Sequence, residues 1–170
     1  MIELLDIVDA SDRVLGRATR AEIHRTQRFH RAVHILVSNG RDEVFLQKRS
    51  ASKDTNPNCW DSSAAGHVDS GESYLPAAIR ELEEELGVVC DGTEFHEFMR
   101  REPETNNGFE HQRYYAIRTD QTMKLCPIEI AEGRWLKPAD IDRWVASNDD
   151  ALTATLKQVW PVYRAQNQSA

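Results

Sequence analysis

Gly66-His67-Val68-Asp69-Ser70-Gly71-Glu72, seven further residues, and then Arg80-Glu81-Leu82-Glu83-Glu84-Glu85-Leu86-Gly87-Val88 decide how this chain is read. The second half predicts a helix over Tyr74–Leu86. Ser73 supplies a capping hydroxyl, Pro76 is tolerated in the first turn, and Gly87 suits the position just past the end. Leu75, Ala78, Ile79, Leu82 and Leu86 recur at helical spacing and predict one buried stripe. At about 100° per residue, Glu81, Glu84 and Glu85 share one side, next to the Ala78/Leu82 edge of that stripe. They therefore stand at the rim of a core, where a cleft can form. Three carboxylates so close repel one another, and a bound divalent cation reverses the sign of that interaction. Hard ions such as Mg²⁺ take carboxylate oxygen and keep waters for phosphate groups. Arg80 precedes Glu84 by one helical turn and can orient it.

Outward from this segment the chain alternates short strands and helices. Asp6–Val8 and Arg13–Gly16 flank a turn-rich tetrapeptide and predict a hairpin. Thr19–Glu22 has capping-box spacing and opens a brief helix. Arg31–Ser38 and Glu43–Arg49 meet across Asn39-Gly40-Arg41-Asp42, a hairpin signal. Ser50–Asn58 reads as loop and Trp60–Ala65 as a short extended run. Strands are expected near Phe95–Arg101, Glu110–Arg118 and Glu132–Leu136, with a polar loop at Glu102–Gly108. A short helix starts at Pro138, and a closing helix covers Asp150–Ala165, bent or interrupted at Pro161. The pattern implies an α+β (α/β) domain with a mixed sheet and helices packed on it. Residues 1–30 form an N-terminal hairpin and short helix of the same domain, and 31–170 its main body.

The 170 residues fit one domain with a substantial core. The net charge of −7 argues against a broad surface for nucleic-acid polymers. No stretch approaches the length of a membrane span, and the acidic start does not read as a signal peptide. Cys59, Cys90 and Cys126 form no CxxC pair, so reduced thiols in a cytoplasmic protein are expected.

The Gly66–Val88 segment resembles the Nudix box, with every specified position filled. A chance match in a chain this long is on the order of one in ten million at average residue frequencies. The resemblance implies a Nudix-type mixed β-sheet sandwiched between helices. It also implies a pyrophosphohydrolase that uses Mg²⁺ or Mn²⁺ to cleave an X–diphosphate by water attack on phosphorus. Glu81, Glu84 and Glu85 match metal-binding glutamates, and the Gly66 carbonyl is a further candidate ligand. Glu72 and Arg80 match residues that orient them. Glu84 is the candidate general base within the motif, with Glu102, Glu104 and Glu110 as candidates outside it. The expected partner is a small-molecule diphosphate, and a homodimer is compatible with the sequence.

The resemblance extends beyond the box, over roughly Leu5–Trp135, and Arg17–Val37 combined with Leu46–His67 resembles the isopentenyl-diphosphate isomerase branch of the fold. In that branch an Arg and a Lys four residues later hold the diphosphate; Arg49 and Lys53 stand at that spacing. His67 and His30 match metal-binding histidines, His24 lies one residue out of step with a third, and Glu110 matches a catalytic, metal-binding glutamate. Imidazole and carboxylate ligands together suit Mn²⁺ or Zn²⁺. One departure separates the chain from those isomerases. The residue before Gly66-His67 is Ala65 where they need a cysteine, and a methyl group cannot transfer a proton. Hydrolysis is thus favoured over isomerisation. A non-catalytic nucleotide-binding module is the third reading, and the intact glutamates speak against it.

Overall fold

The structure is a computed structural model that describes residues 3–167. Strands β1 (Leu4–Val8) and β2 (Val14–Thr19) form a two-stranded antiparallel hairpin, followed by helix α1 (Arg20–Thr26). Thr19 caps α1 through its hydroxyl, which accepts from the Glu22 amide. A seven-stranded mixed sheet then forms from β3 (His30–Ser38), β4 (Val44–Arg49), β5 (Trp60–Asp61), β6 (Ala64–His67), β7 (His96–Arg101), β8 (Glu110–Arg118) and β9 (Ile130–Leu136). Helices α2 (Tyr74–Leu86), α3 (Pro138–Ala146) and α4 (Ala154–Asn167) complete the fold.

Strand β3 is the axis of the sheet. It pairs in parallel with β8 along its whole length and antiparallel with β4 and β6. Alternation along β3 sends Val33, Ile35 and Val37 to one face, where they pack with Ala78, Leu82 and Leu86 of α2. The other face carries Leu36 and Tyr114, packed with Ile141 of α3 and with Leu156, Val159 and Trp160 of α4. The sheet is thus sandwiched between helices, as expected. On that second face α3 and α4 cover the Leu36 end. Ala32 and His34 line an open cleft instead.

Several local expectations are corrected. The run at Trp60–Ala65 is broken into β5 and β6 by Ser62-Ser63. Ser63 turns inward, where its hydroxyl donates to the Phe45 carbonyl and accepts from the Val37 amide at 2.8 Å. The closing helix starts four residues late, because Thr153 Oγ1 accepts from the Leu156 amide and acts as a cap. It then runs through Pro161 without interruption. Ser73 precedes α2 but makes no side-chain cap bond. The buried stripe of α2 is also rotated. Leu75 is 37% exposed, while Tyr74, Ala77 and Glu85 are buried. Hydrogen bonds from Gln47 and the Ala65 amide draw Glu85 inward and turn the helix with it.

Candidate metal centre

The parallel register of β3 and β8 sets His30 opposite Glu110, and antiparallel pairing with β6 sets Ala32 opposite His67. These pairings gather His30, His67 and Glu110 into one corner. Helix α1 brings in His24, so the three imidazole centroids lie 5.2 Å apart in every pair. The structure thus places His24 in the cluster despite its offset in sequence. One ligand nitrogen from each ring falls within 4.8 Å of the others.

Hydrogen bonds orient the rings. His30 Nδ1 lies 3.0 Å from the Arg28 carbonyl, which can only accept, so Nδ1 carries the proton. His67 Nδ1 donates to Glu3 Oε1 at 2.7 Å. Each Nε2 then faces Glu110 Oε1 at 3.6 Å. His30 Nε2 is buried and has no hydrogen-bond partner among the described residues. Burial pulls His67 down, but Glu110 and Glu3 outweigh it and push it up to about 9. Burial and the neighbouring charge of His67 depress His24 to about 4. Burial would raise Glu110, yet the imidazoles of His30 and His67 that face it hold it well below the usual carboxylate range.

The acidic side of α2 adjoins this corner. Glu85 is only 3% exposed. Its Oε2 accepts from Gln47 Nε2 at 2.8 Å and from the Ala65 amide at 3.3 Å. No ion pair reaches Glu85 among the described residues. Burial and the nearby Glu81 push it up to about 7. Glu81 lies against Gly66, where a Cβ would overlap its carboxyl group. Burial raises Glu81 as well, against the opposing pull of Arg80. Glu84 is the exposed member, its side chain 61% accessible.

Arg80 ties the motif together. It pairs with Glu81 at 2.6 Å, Glu72 at 2.9 Å and Glu84 at 3.3 Å, and donates to the His67 carbonyl at 3.0 Å. Glu72 also accepts from the Asp69 amide at 3.1 Å, closing the loop onto the helix. Asp6 of β1 holds the loop from outside, accepting from Ser70 Oγ at 2.7 Å and from the Gly71 amide at 3.1 Å.

Glu81, Glu84 and Glu85 line a cleft of about 1420 Å³ together with Arg49, Lys53 and His67. Arg49 is braced by the Thr55 carbonyl at 3.1 Å and stands 3.5 Å from Asp61. Lys53 pairs with Glu129, and burial lowers its pKa. Glu102 and Glu104 are exposed; Glu102 pairs with His111, and neither lines the cleft. Cys59 faces the Asp150 carbonyl, away from the cleft, whereas the half-buried Cys126 lines it. All three cysteines are free.

Sequence reasoning missed Glu3, Asp6 and Gln47. Each acts across a long separation in the chain, and no local pattern marks it.

The family model described as "NUDIX domain" matches residues 28–156. An uncharacterized Nudix hydrolase of Nostoc sp. is 33% identical, covering 95% of this chain and 96% of that protein. An isopentenyl-diphosphate Δ-isomerase of Nocardia farcinica is 35% identical over 91% of each chain. A crystal structure from Deinococcus radiodurans superposes with a TM-score of 0.79 at 30% identity, covering 94% of this chain and 98% of that one. Family match, relatives and fold agree with the complete motif on α2, and the chain belongs to the Nudix family.

Proposed function

We propose that the protein is a divalent-metal-dependent pyrophosphohydrolase that cleaves a diphosphate linkage in an X–diphosphate by attack of water on phosphorus. The observation that carries this reading is one cleft with three glutamates of α2 on one wall and Arg49 and Lys53 beside them. The residues fit Mg²⁺ or Mn²⁺. Glu85 is a buried carboxylate without an ion pair among the described residues, and buried charges are normally paired or hold metal. When bound, the metal would draw charge from the diphosphate and acidify a water. Glu81 and Glu85 are the inner ligands, the Gly66 carbonyl supports them, and Glu72 and Arg80 fix their rotamers. Arg49 and Lys53 neutralise the diphosphate. Glu84 is the most exposed of the three and is assigned the role of accepting the proton from the attacking water. Glu110, held strongly ionised by two histidines, suits a ligand better than a base.

His24, His30 and His67, with Glu110 3.6 Å from two of the rings, form a second cluster suited to Mn²⁺ or Zn²⁺. About one equivalent of transition metal should survive desalting, by elemental analysis, in wild type and in Glu85→Gln. It should be lost in His30→Ala. Equal retention in His30→Ala would refute the cluster.

Incubation with Mg²⁺ or Mn²⁺ and a panel of nucleoside diphosphate conjugates should release phosphorylated products, and a chelator should abolish release. Release unaffected by the chelator would defeat the metal-dependent reading. Isomerisation is the second reading, favoured by the histidine cluster. With Ala65 before Gly66, isopentenyl diphosphate should show no proton exchange above the buffer rate.

A further inference from the structure

We propose that the inner end of the cleft recognises a hydroxyl-rich group X, such as a pentose or hexose, through Asp61 and His34. This rests on the hydrolase reading and narrows its substrate. From His30 the cleft-facing side chains of β3 continue to Ala32 and His34, roughly 13 Å further along at about 3.3 Å per residue. The rungs on β8 are Gln112 and Tyr114, and the partner of His34 on β6 is Ala65. Two methyl groups, Ala32 and Ala65, leave room above this stretch. The surrounding side chains are polar and deeply buried: His34 is 9%, Asp61 4% and Gln112 3% exposed. The larger aliphatic side chains of the lining, Leu4 and Ile128, are 40% and 72% exposed and stand at the rim.

The inner polar groups are incompletely satisfied by the protein. Asp61 Oδ1 accepts from the Ser62 amide at 2.9 Å and from Thr153 Oγ1 at 2.8 Å. Among the described residues its Oδ2 has only Arg49 Nη1, at 3.5 Å. His34 is stacked on Tyr114, with centroids 4.8 Å apart. Its one side-chain contact of hydrogen-bond length among the described residues is Nδ1 to Ser62 Oγ at 3.5 Å. Burial lowers the His34 pKa, so at neutral pH its ring offers one donor and one acceptor. A carboxylate oxygen and a neutral imidazole lining one cleft match hydroxyl groups, which both donate and accept. An isoprenoid chain would cover these groups without replacing the water they lose.

The test compares kcat/KM for ADP-ribose, UDP-glucose and geranyl diphosphate, with Mg²⁺ or Mn²⁺, in wild type, Asp61→Asn and His34→Phe. In wild type the better sugar conjugate should exceed geranyl diphosphate on the order of 10⁴-fold, as for sites built to bond a substrate hydroxyl. The ratio should fall at least about tenfold in either variant, mainly through KM for the sugar conjugate. Ratios are compared within each protein, so a partial loss of fold cancels. A wild-type ratio within threefold of unity overturns the inference and leaves the hydrolase reading standing. So does a ratio unmoved in both variants. Cleavage of none of the three overturns both.

Discussion

Glu85→Gln is expected to lower kcat about 10³-fold, roughly 4 kcal/mol of barrier, while making the metal-free protein more stable. The two effects have one cause. Glu85 is buried beside Glu81 without an ion pair among the described residues, and its pKa is pushed up to about 7. A carboxyl whose folded pKa is raised withdraws stability as pH climbs past its ordinary value, and the full cost is present above about 7. Glutamine carries no charge and keeps an oxygen that accepts from Gln47 or from the Ala65 amide. At pH 8 the variant should therefore melt a few degrees higher without metal, at about 2–4 °C per kcal/mol recovered. Added Mg²⁺ should raise the wild-type Tm and leave the variant's unchanged. A kcat within threefold of wild type would remove Glu85 from the metal site. A lower metal-free Tm would show that its charge is compensated within the protein.

The motif was legible because it is local. Helical periodicity alone places Glu81, Glu84 and Glu85 beside an apolar stripe, and the structure puts them along one cleft wall. Periodicity did not reveal how far the helix is turned. That depends on Gln47, which lies 38 residues away in sequence and draws Glu85 into the core. Leu75 was expected inside and is exposed for the same reason. Ser73 has the right residue type for a cap and makes no cap bond. Propensity names a position there, and tertiary packing decides whether it is used.

The histidine corner was half legible. His67 follows Gly66 directly, and His30 opens a strand with a clear apolar pattern. Their meeting depends on a parallel pairing of strands 80 residues apart, whose register no local signal carries. His24 looked displaced by one position. It reaches the cluster because α1 ends at Gln27 in the left-handed conformation, φ 53°, which turns the chain back toward β3. Glu3 and Asp6 belong to a hairpin that reads as an ordinary edge element. Their carboxylates meet His67 and the Ser70-Gly71 turn only after the hairpin docks.

Gly66→Ala is expected to reduce activity on the order of 10²-fold, close to the loss of a group that orients a metal ligand. A Cβ at Gly66 would overlap the Glu81 carboxyl group, so one of the two must move. Gly66 sits in β6, paired to Val33 of β3, and that pairing holds its backbone. Glu81 is the freer partner, although Arg80 holds it. The displaced carboxylate should weaken metal binding, so the Mg²⁺ concentration giving half-maximal rate should rise. Saturating Mg²⁺ should restore only part of kcat. Gly16→Ala is the control, because a Cβ there meets nothing within 4 Å. It should leave both rate and metal requirement unchanged. If Gly66→Ala matched that control, the close approach of Gly66 and Glu81 would be incidental to the chemistry. The function of the glycine would then be packing alone, and its place at the head of the motif would need a different cause.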